Sequence, residues 1–466
     1  MANNPEFDYE AFRDTIGTVD EEGKRNWIYP KKPKGRFHNK RIIVSIVLLT
    51  LLFLGPFLRW NGEPMFLFNF LERKFIVFGV VFWPQDFHLF AFAMLSFMVF
   101  VVLFTVIFGR LWCGWACPQT IFMEMVFRKI EYWIEGDRAK QQKLNRSPWN
   151  KDKIVKKGAK WLIFYAISFL IANTLMAYLV GIDELSKLVT HAPAENWGKF
   201  VGVVVFSWIF FFIFAWFREQ ACIVVCPYGR LQSVMLGKDS LVVAYDFIRG
   251  EKRERVRKNK EREGGDCIDC SLCVQVCPTG IDIRNGTQME CVNCTACIDV
   301  CDDVMDKVGF ERGLIRYASY NGISEKKPFK ITARIIAYSI VLVGMLSVLT
   351  YSLASRSDVE TTLLRTPGVL FQKTDDGKIS NLYNFQVVNK TSNSFPVEFR
   401  LVEPEGEIQL IGTPPDVKPR DISKGACLIK ISRENLDGSK TSITVEVWSG
   451  DKRLDVIKTN FMGPIN

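Results

Sequence analysis

Five apolar runs divide the chain, and polar segments of differing character separate them. Each run is about long enough to cross the hydrocarbon core of a bilayer as a helix. They are residues 42–58, 87–108, 161–180, 200–217 and 332–354. After the last run, apolar and polar residues partly alternate over short stretches, which is typical of β-strands. The pattern predicts a multi-domain membrane protein with a five-helix α transmembrane bundle and an all-β tail.

The tail, residues 355–466, contains six short predicted strands with Gly, Pro, Asn and Asp in the gaps. They are residues 382–389, 395–402, 407–411, 427–432, 442–448 and 453–459. Several short strands at regular spacing favour an immunoglobulin-like β-sandwich. Cys427 falls in one of them, and we interpret it as a buried structural thiol rather than a reactive one.

Charge adds an orientation to this picture. The chain carries a net charge of +10, and residues 24–41 hold eight Lys or Arg while residues 109–160 hold twelve. The segment 218–331 is also basic, whereas the loops between these segments are not. Basic loops stay in the cytoplasm. We therefore expect a bacterial inner-membrane protein with cytoplasmic segments 1–41 and 218–331, membrane helices within 42–217 and 332–354, and a periplasmic domain at 355–466.

Composition also argues against two classes of protein. No soluble segment shows the basic face of a nucleic-acid-binding domain, so no nucleic-acid partner is expected. The chain has three histidines and no CxxCH motif, which argues against haem. Residues 249–263 mix basic and acidic side chains and predict a solvated connecting helix, with a lipid-headgroup contact as the alternative.

Eight of the thirteen cysteines form two runs with the spacing of a two-cluster ferredoxin, within about residues 258–310. In such runs the fourth cysteine ligates the other cluster. We assign the first [4Fe-4S] cluster to Cys267, Cys270, Cys273 and Cys301, and the second to Cys291, Cys294, Cys297 and Cys277. A zinc ribbon or a disulfide framework is the alternative, but zinc motifs use two CxxC pairs. The segment is predicted to be a ferredoxin-like α+β insertion in a reducing compartment.

Four further cysteines occur as two CxxxCP motifs at the predicted cytoplasmic ends of the second and fourth spans. They are Cys113 with Cys117, and Cys222 with Cys226, and the two motifs lie 109 positions apart. Matched motifs after matched spans suggest an internal repeat. A spacing of four on a helix places both thiols on one face, and the following proline predicts a kink or a helix break.

These four thiols predict a catalytic metal site. Cu(I) is the soft ion that suits them, with zinc or another cluster as alternatives. Two unrelated pairs of buried cysteines would be the structural explanation. Arg110 and Arg218 precede the motifs and serve either to balance thiolate charge or to anchor the topology.

The combination of features resembles a known family. Five spans, both CxxxCP motifs, the ferredoxin runs, the β-rich tail and the N-terminal segment Trp27-Ile28-Tyr29-Pro30 are similar to the cytochrome c oxidase accessory proteins of the CcoG/FixG/RdxA type. The resemblance implies two [4Fe-4S] clusters and the reduction of Cu(II) to Cu(I) for the copper centre of a respiratory oxidase. It also implies that the CxxxCP cysteines match the membrane cysteines of the family. Cys301 is followed by Asp302 instead of proline, which leaves ligation intact.

The expected function is therefore that of a membrane-bound cupric reductase. Its expected partners are the lipid bilayer, oxidase subunits or copper chaperones, and a cytoplasmic electron donor. Two alternatives stay open, a quinol-oxidising polyferredoxin that feeds a partner reductase and a non-catalytic scaffold for oxidase assembly. No Gly-rich dinucleotide fingerprint is present, so the sequence does not indicate a nicotinamide or flavin site.

Overall fold

The computed structural model describes residues 18–464 apart from 20–21, 23, 61, 71–73, 84–85, 192–193, 257–262, 327–329, 369, 375, 392 and 413–415. The chain forms two compact units. The first contains the chain up to Phe78 and Phe82–Val348, and the second contains Gly79–Val81 and Leu349–Asn466.

Helices dominate the first unit. In chain order they are α1 (Arg36–Leu54), α2 (Phe87–Phe108), α3 (Leu111–Trp115), α4 (Pro118–Ile121), α5 (Arg128–Ile134), α6 (Arg138–Arg146), α7 (Lys151–Val180), α8 (Ile182–Thr190), α9 (Trp197–Phe212), α10 (Pro227–Met235), α11 (Phe247–Gly250), α12 (Leu272–Val276), α13 (Ala296–Val308), α14 (Tyr320–Ser324) and α15 (Ala333–Ala354). Single 3₁₀ turns follow at Gly55–Phe57 and Ile283–Asn285, and π-helical turns at Phe122–Phe127, Ile213–Phe217 and Ala221–Val225.

Five of the described helical segments are long and apolar enough to cross a membrane, as the hydropathy pattern predicts. They are Arg36–Phe57, Phe87–Phe108, Lys151–Val180, Trp197–Phe217 and Ala333–Ala354. The third begins at Lys151 instead of residue 161, because the Asn150 side chain accepts from the Lys153 N–H at 2.8 Å and starts the helix in the polar segment. Helical hydrogen bonding does not depend on apolar side chains, so hydropathy alone misplaces such a boundary.

The strands in chain order are β1 (Arg59–Trp60), β2 (Glu63–Pro64), β3 (Phe66–Asn69), β4 (Lys74–Val77), β5 (Val80–Phe82), β6 (Val242–Tyr245), β7 (Ile315–Ala318), β8 (Val359–Arg365), β9 (Gln372–Lys373), β10 (Ile379–Asn389), β11 (Phe395–Pro396), β12 (Glu398–Glu403), β13 (Gly406–Ile411), β14 (Asp416–Val417), β15 (Ile422–Ile431), β16 (Lys440–Ser449) and β17 (Lys452–Met462). The hydropathy pattern treats the loop that contains β1–β5 as irregular, so these strands are an addition to it.

The ferredoxin module lies between α9 and α15. The short helix α12 packs on α13, and β6 pairs with β7 in antiparallel register across the two ends of the module. The N-terminal segment lies against it, since the Asp299 carboxylate accepts from the backbone N–H groups of Phe37 and His38 at 2.9 and 2.8 Å. The module is therefore joined to the first membrane helix as well as to its own flanking segments.

The connecting segment before the module corrects one prediction. The helix expected over residues 249–263 is wrong for the described part, because α11 ends at Gly250 and residues 251–256 are not helical. Their backbone bonds the module instead: Gly265 N–H donates to Lys252 at 2.8 Å and Glu254 N–H to Cys267 at 3.2 Å. Residues 257–262 of the predicted helix lie outside the described residues.

The second unit is an antiparallel β-sandwich. One sheet has the order β13–β15–β10–β8 with β9 also beside β10, and the other has the order β12–β16–β17. All six predicted strands are present, and β8, β9 and β14 were missed by the pattern. The buried side chains of both sheets meet in one core, which includes Tyr383, Val387, Cys427, Ile429, Ile443, Val445 and Val447. Cys427 has no exposed surface, as predicted.

Candidate iron–sulfur and thiol sites

The eight ferredoxin cysteines line two separate cavities, which we call site I and site II. Site I is lined by Cys267, Cys270, Cys273 and Cys301, together with apolar residues of α13 and β7. Site II is lined by Cys277, Cys291, Cys294 and Cys297, and the edge of Cys273 also reaches it. The crossed grouping expected from the spacing is thus how the fold arranges the side chains, with the fourth cysteine of each run beside the other run's first three.

The loops around both cavities share an unusual backbone. Asp269 and Ser271 flank Cys270 with φ of 51° and 56°, and Asn293 and Thr295 flank Cys294 with φ of 52° and 63°. Such positive φ values are uncommon for residues other than glycine. Alternation of left-handed residues with their neighbours turns backbone N–H groups inward and makes an anion-binding nest, a feature of many iron–sulfur sites. This repeated geometry fits two anionic [4Fe-4S] clusters.

The distances between the ferredoxin thiols suit iron–sulfur clusters better than single metal ions. Across the described ranges, no three Cys, His, Asp or Glu side chains are placed to hold one metal ion. A tetrahedral zinc site would require such a group. Burial raises the pKa of Cys291 to about 12 and that of Cys294 to about 11, because it disfavours the thiolate. A bound metal cluster would favour the thiolate and oppose this effect.

Each CxxxCP motif breaks a helix at its second cysteine. Cys113 lies within α3, whereas Cys117 caps α4 with extended backbone just before Pro118. Cys222 lies in a π-helical turn, and Cys226 caps α10 just before Pro227. The helix break predicted from the prolines is therefore present in both motifs. The two thiols of a motif do not share one continuous helix, because proline at the first helical position starts a new one.

The turn before each motif supports the internal repeat. Gly109 has φ 55° and ψ −128°. Arg218 lies 109 positions later, the same distance as between the two motifs, and has φ 53° and ψ −123°. A non-glycine residue in this conformation is strained and persists only where its surroundings hold it. Arg218 is held by two bonds to the Glu131 carboxylate, at 3.0 and 2.9 Å. The structure therefore assigns Arg218 to a buried ion pair and not to the thiols.

The four CxxxCP thiols share one electrostatic environment. Burial raises the pKa of Cys222 to about 12, and the neighbouring thiols of Cys117, Cys113 and Cys226 add to the effect. Burial also raises the pKa of Cys113 to about 11, while Gln232 and Arg110 oppose it. All four cysteines are partly exposed on the surface of the protein.

Gln232 is a site residue that the sequence did not indicate. Its side chain is fully buried on α10, and its amide nitrogen lies 3.3 Å from Cys113 Sγ. The hydroxyl of Tyr228 on the same helix lies 2.8 Å from the Thr105 hydroxyl of α2. A glutamine two turns beyond a CxxxCP motif carries no recognisable signal, because its role depends on the packing of α10 against α2 and α3.

The first CxxxCP motif packs directly on site II. Cys113 contacts the apolar cluster of Val276, Val292, Cys294 and Ala296. Gly114 has room for no side chain, since a Cβ there would lie 2.5 Å from the Val292 carbonyl oxygen and 2.7 Å from that of Asn293. The glycine permits this close approach of two backbones. The first CxxxCP motif and site II are therefore in direct contact.

Arginine side chains join the helical part of the unit to the cluster-binding loops. Arg128 is almost fully buried, pairs with Glu124 and Glu219, and donates to the Pro278 carbonyl at 3.0 Å. Buried charges need such partners, because an unpaired charge in a low-dielectric interior is costly. Arg41 and Arg110 make similar bonds to the loops of site II.

Three protein families match parts of the chain. A 4Fe-4S binding domain matches residues 90–140, a 4Fe-4S dicluster domain matches residues 217–320, and the IG-like fold at the C-terminal of FixG matches residues 349–464. The first match covers the first CxxxCP motif, and the second covers the other motif together with all eight ferredoxin cysteines. With the fold and sites described above, these matches define a membrane polyferredoxin with an immunoglobulin-like domain.

Similar proteins from bacteria extend this result. The nitrogen fixation protein FixG of Rhizobium meliloti is 38% identical over 308 residues, which cover 64% of this chain and 58% of that protein. The proteins RdxA and RdxB of Cereibacter sphaeroides are each 34% identical and are covered over 80% of their length. The chain belongs to the FixG/RdxA family. A crystal structure of a FixG-related protein from Vibrio parahaemolyticus matches 23% of the chain and 97% of its own at 15% identity, with a TM-score of 0.19.

Proposed function

We propose that this protein is a membrane-bound cupric reductase that supplies Cu(I) for assembling the copper centre of a respiratory cytochrome c oxidase. The observation that carries the proposal is the packing of Cys113 against the residues that surround Cys294 in site II. Soft thiolates select Cu(I). The groups suited to the reduced ion thus lie beside the groups suited to an electron-carrying cluster.

The reaction is a one-electron reduction without bond cleavage in the substrate. Each Cu(II) gains one electron and becomes Cu(I), and a cytoplasmic one-electron donor is oxidised by the same amount. Clusters held at sites I and II supply the one-electron chemistry between them. The partly exposed CxxxCP thiols bind the ion and release their protons as they do so. Within the described ranges, the side chains bring together no group of three His, Cys, Asp or Glu ligands for one ion.

The sidedness of the proposal follows from the distribution of Lys and Arg. The N-terminal segment, residues 109–160 and residues 218–331 lie in the cytoplasm, where the electron donor docks. The β-sandwich lies in the periplasm of a bacterial inner membrane, where it contacts oxidase subunits or copper chaperones. This arrangement places the iron–sulfur sites in a reducing compartment, which suits thiolate ligands.

The test uses full-length protein purified without oxygen in detergent. The protein is reduced with dithionite, freed of excess reductant, and mixed with Cu(II) in the presence of a Cu(I)-specific chelator. The visible absorbance of the oxidised clusters should return as the coloured Cu(I) complex appears, one equivalent for each electron. Cys113→Ser, Cys117→Ser, Cys222→Ser and Cys226→Ser should each slow both signals at least tenfold. Cys427→Ala is the matched control, since this thiol lies in the sandwich core.

Any of three outcomes would overturn the proposal. If the four serine variants reoxidise with Cu(II) as fast as the control, copper does not react at the CxxxCP thiols. If a water-soluble quinone reoxidises the clusters while Cu(II) does not, the chain is a quinone-linked polyferredoxin. If neither oxidant reacts with clusters of full iron and sulfide content, a scaffold is the function that remains.

A further inference from the structure

Two buried arginines from separate parts of the chain bond to the loop of site II. Arg41, on α1, donates from Nη1 to the Cys294 carbonyl and from Nε to the Gly114 carbonyl, both at 3.0 Å. Its side chain thus connects a site II ligand residue to the first CxxxCP motif. Only 5% of Arg41 is exposed, so this contact lies away from bulk water.

Arg110 makes the equivalent connection to the second motif. It donates from Nη1 to the Cys291 carbonyl at 3.4 Å and from Nη2 to the Gly229 carbonyl at 2.9 Å. Gly229 follows Cys226 by three positions. Arg110 is also 5% exposed, and its Nε is buried without a hydrogen-bond partner in the described structure.

The charges of Arg41 and Arg110 are not neutralised locally. Among the described residues, neither guanidinium has a carboxylate within ion-pair distance, and both bond to carbonyl oxygens. Arg128 differs, because Glu124 and Glu219 lie 2.9 and 3.4 Å from it. Buried charges act over longer distances than exposed ones, since solvent and salt screen them less. Arg41 and Arg110 therefore contribute two formal positive charges beside site II. Glu124 also acts on Cys294, but it is itself paired with Arg128.

The charges near site I are paired with one another. Arg284, the arginine beside Cys273, is paired with both Asp282 and Asp269 at 2.6 Å. Asp302 directly follows the ligand Cys301 and its charge acts on that thiol, but it lies 3.8 Å from Arg36. The positive and negative charges near this site therefore largely cancel. Cys270 is also exposed, so water reaches site I more easily than site II.

We propose that Arg41 and Arg110 raise the reduction potential of the group held at site II above that of the group held at site I. An added electron then rests at site II, beside Cys113, instead of at the exposed site I. The positive charges beside site II stabilise the more negative reduced state, whereas the charges near site I are paired and largely cancel. The proposal rests on the proposed function only in that both sites hold clusters, and it does not require copper as the acceptor.

The test is a redox titration of the full-length protein, followed by EPR, which needs neither copper nor turnover. Arg41→Gln and Arg110→Gln should each lower the higher of the two potentials and leave the lower one in place. We expect at least a tenfold change in the electron's equilibrium distribution, which is about 59 mV for a one-electron couple. Arg41→Lys should leave the higher potential close to that of the unchanged protein, because lysine retains the positive charge.

Lys40→Gln is the matched control. Lys40 precedes Arg41 on the same helix, but its side chain is exposed, and its loss should leave both potentials unchanged because solvent screens its charge. Unchanged potentials in both buried glutamine variants would overturn the proposal. The proposal would also be overturned if Arg41→Lys lowered the higher potential as much as Arg41→Gln does. That result would mean that the hydrogen bonds of Arg41, and not its charge, set the potential.

A second measurement applies if the arginine variants fail to bind clusters. In a protein that keeps both arginines, Cys294→Ser should shift or remove the EPR signal with the higher potential. Cys270→Ser should shift or remove the signal with the lower potential. If Cys294→Ser instead altered the lower-potential signal and Cys270→Ser the higher one, the proposal would be overturned whatever the arginine variants do. Iron and sulfide content distinguishes a shifted signal from a missing cluster, and a normal copper reaction in these proteins would leave the proposed function standing in either case.

Discussion

A methyl group added at Gly114 tests the contact on which the proposed reaction depends. In Gly114→Ala, the new Cβ would lie 2.5 Å from the carbonyl oxygen of Val292 and 2.7 Å from that of Asn293. Both neighbours are backbone atoms, so neither can rotate away as a flexible side chain would. The backbone of the first CxxxCP motif and the loop of site II must move apart.

The size of the movement follows from ordinary contact distances. A carbon atom approaches a carbonyl oxygen to about 3.3 Å, so the gap must open by roughly 0.8 Å. Overpacking of this kind costs about 1–3 kcal/mol. The same movement lengthens the bond from Arg41 to the Gly114 carbonyl, now 3.0 Å, and a hydrogen bond to a charged group contributes about 1.5–3 kcal/mol. If this bond is lost completely, the two effects together cost about 2.5–6 kcal/mol.

The assay follows the visible absorbance of the clusters in full-length protein during heating under argon. Gly114→Ala should lose its clusters at a lower temperature and reoxidise more slowly with Cu(II). Gly158→Ala is the control, because nothing lies within 4 Å of its new Cβ on α7. It should be unchanged or slightly more stable, as alanine favours a helix over glycine by about 0.5–1 kcal/mol. Equal behaviour of the two variants in both measurements would refute the close approach.

Three further predictions concern other parts of the molecule. Burial raises the pKa of Cys427 from 9.0 to about 12, so its contribution to stability is complete below pH 9 and is lost as the pH rises towards 12. Cys427→Ala should flatten the fall in the free energy of unfolding of the sandwich by up to about 1.4 kcal/mol per pH unit, and equal alkaline slopes would contradict this. Arg218→Ala removes the two shortest contacts of the buried Glu131 carboxylate and leaves it Lys160, at 3.6 Å, as a partner. It should cost about 3–5 kcal/mol by thermal unfolding, whereas Lys187→Ala, at an exposed pair, should change nothing measurable. A reporter fused after Asn466 should be active in the periplasm, and cytoplasmic activity would refute the assigned topology.

Several features were predictable because their signals are local. The spacing within Cys267–Cys301 predicts which cysteines group together, since a two-cluster fold imposes one crossed pattern on such runs. The five spans were predictable because apolar length is a one-dimensional property. Their ends were less so: α7 begins at Lys151, where a cap and not hydropathy starts the helix. The helix expected over residues 249–263 is wrong for residues 251–256, because the backbone there bonds the edge of the module instead.

Tertiary structure alone decided what surrounds the thiols. Arg41 and Cys294 are far apart in the chain, and no spacing rule connects them, yet a guanidinium from α1 reaches the carbonyl of a site II ligand residue. Gln232 lies beside Cys113 for the same reason, because α10 packs near the first motif.

Four features can be read from the order of neighbouring residues: five apolar helices, eight ferredoxin cysteines in two crossed sets, two CxxxCP motifs and a β-sandwich. The position of Cys113 beside site II, and the bonds from Arg41 and Arg110 to the loop of that site, depend on how the folded chain packs. Burial and charge are sums over groups from distant segments, and they exist only once the chain has folded.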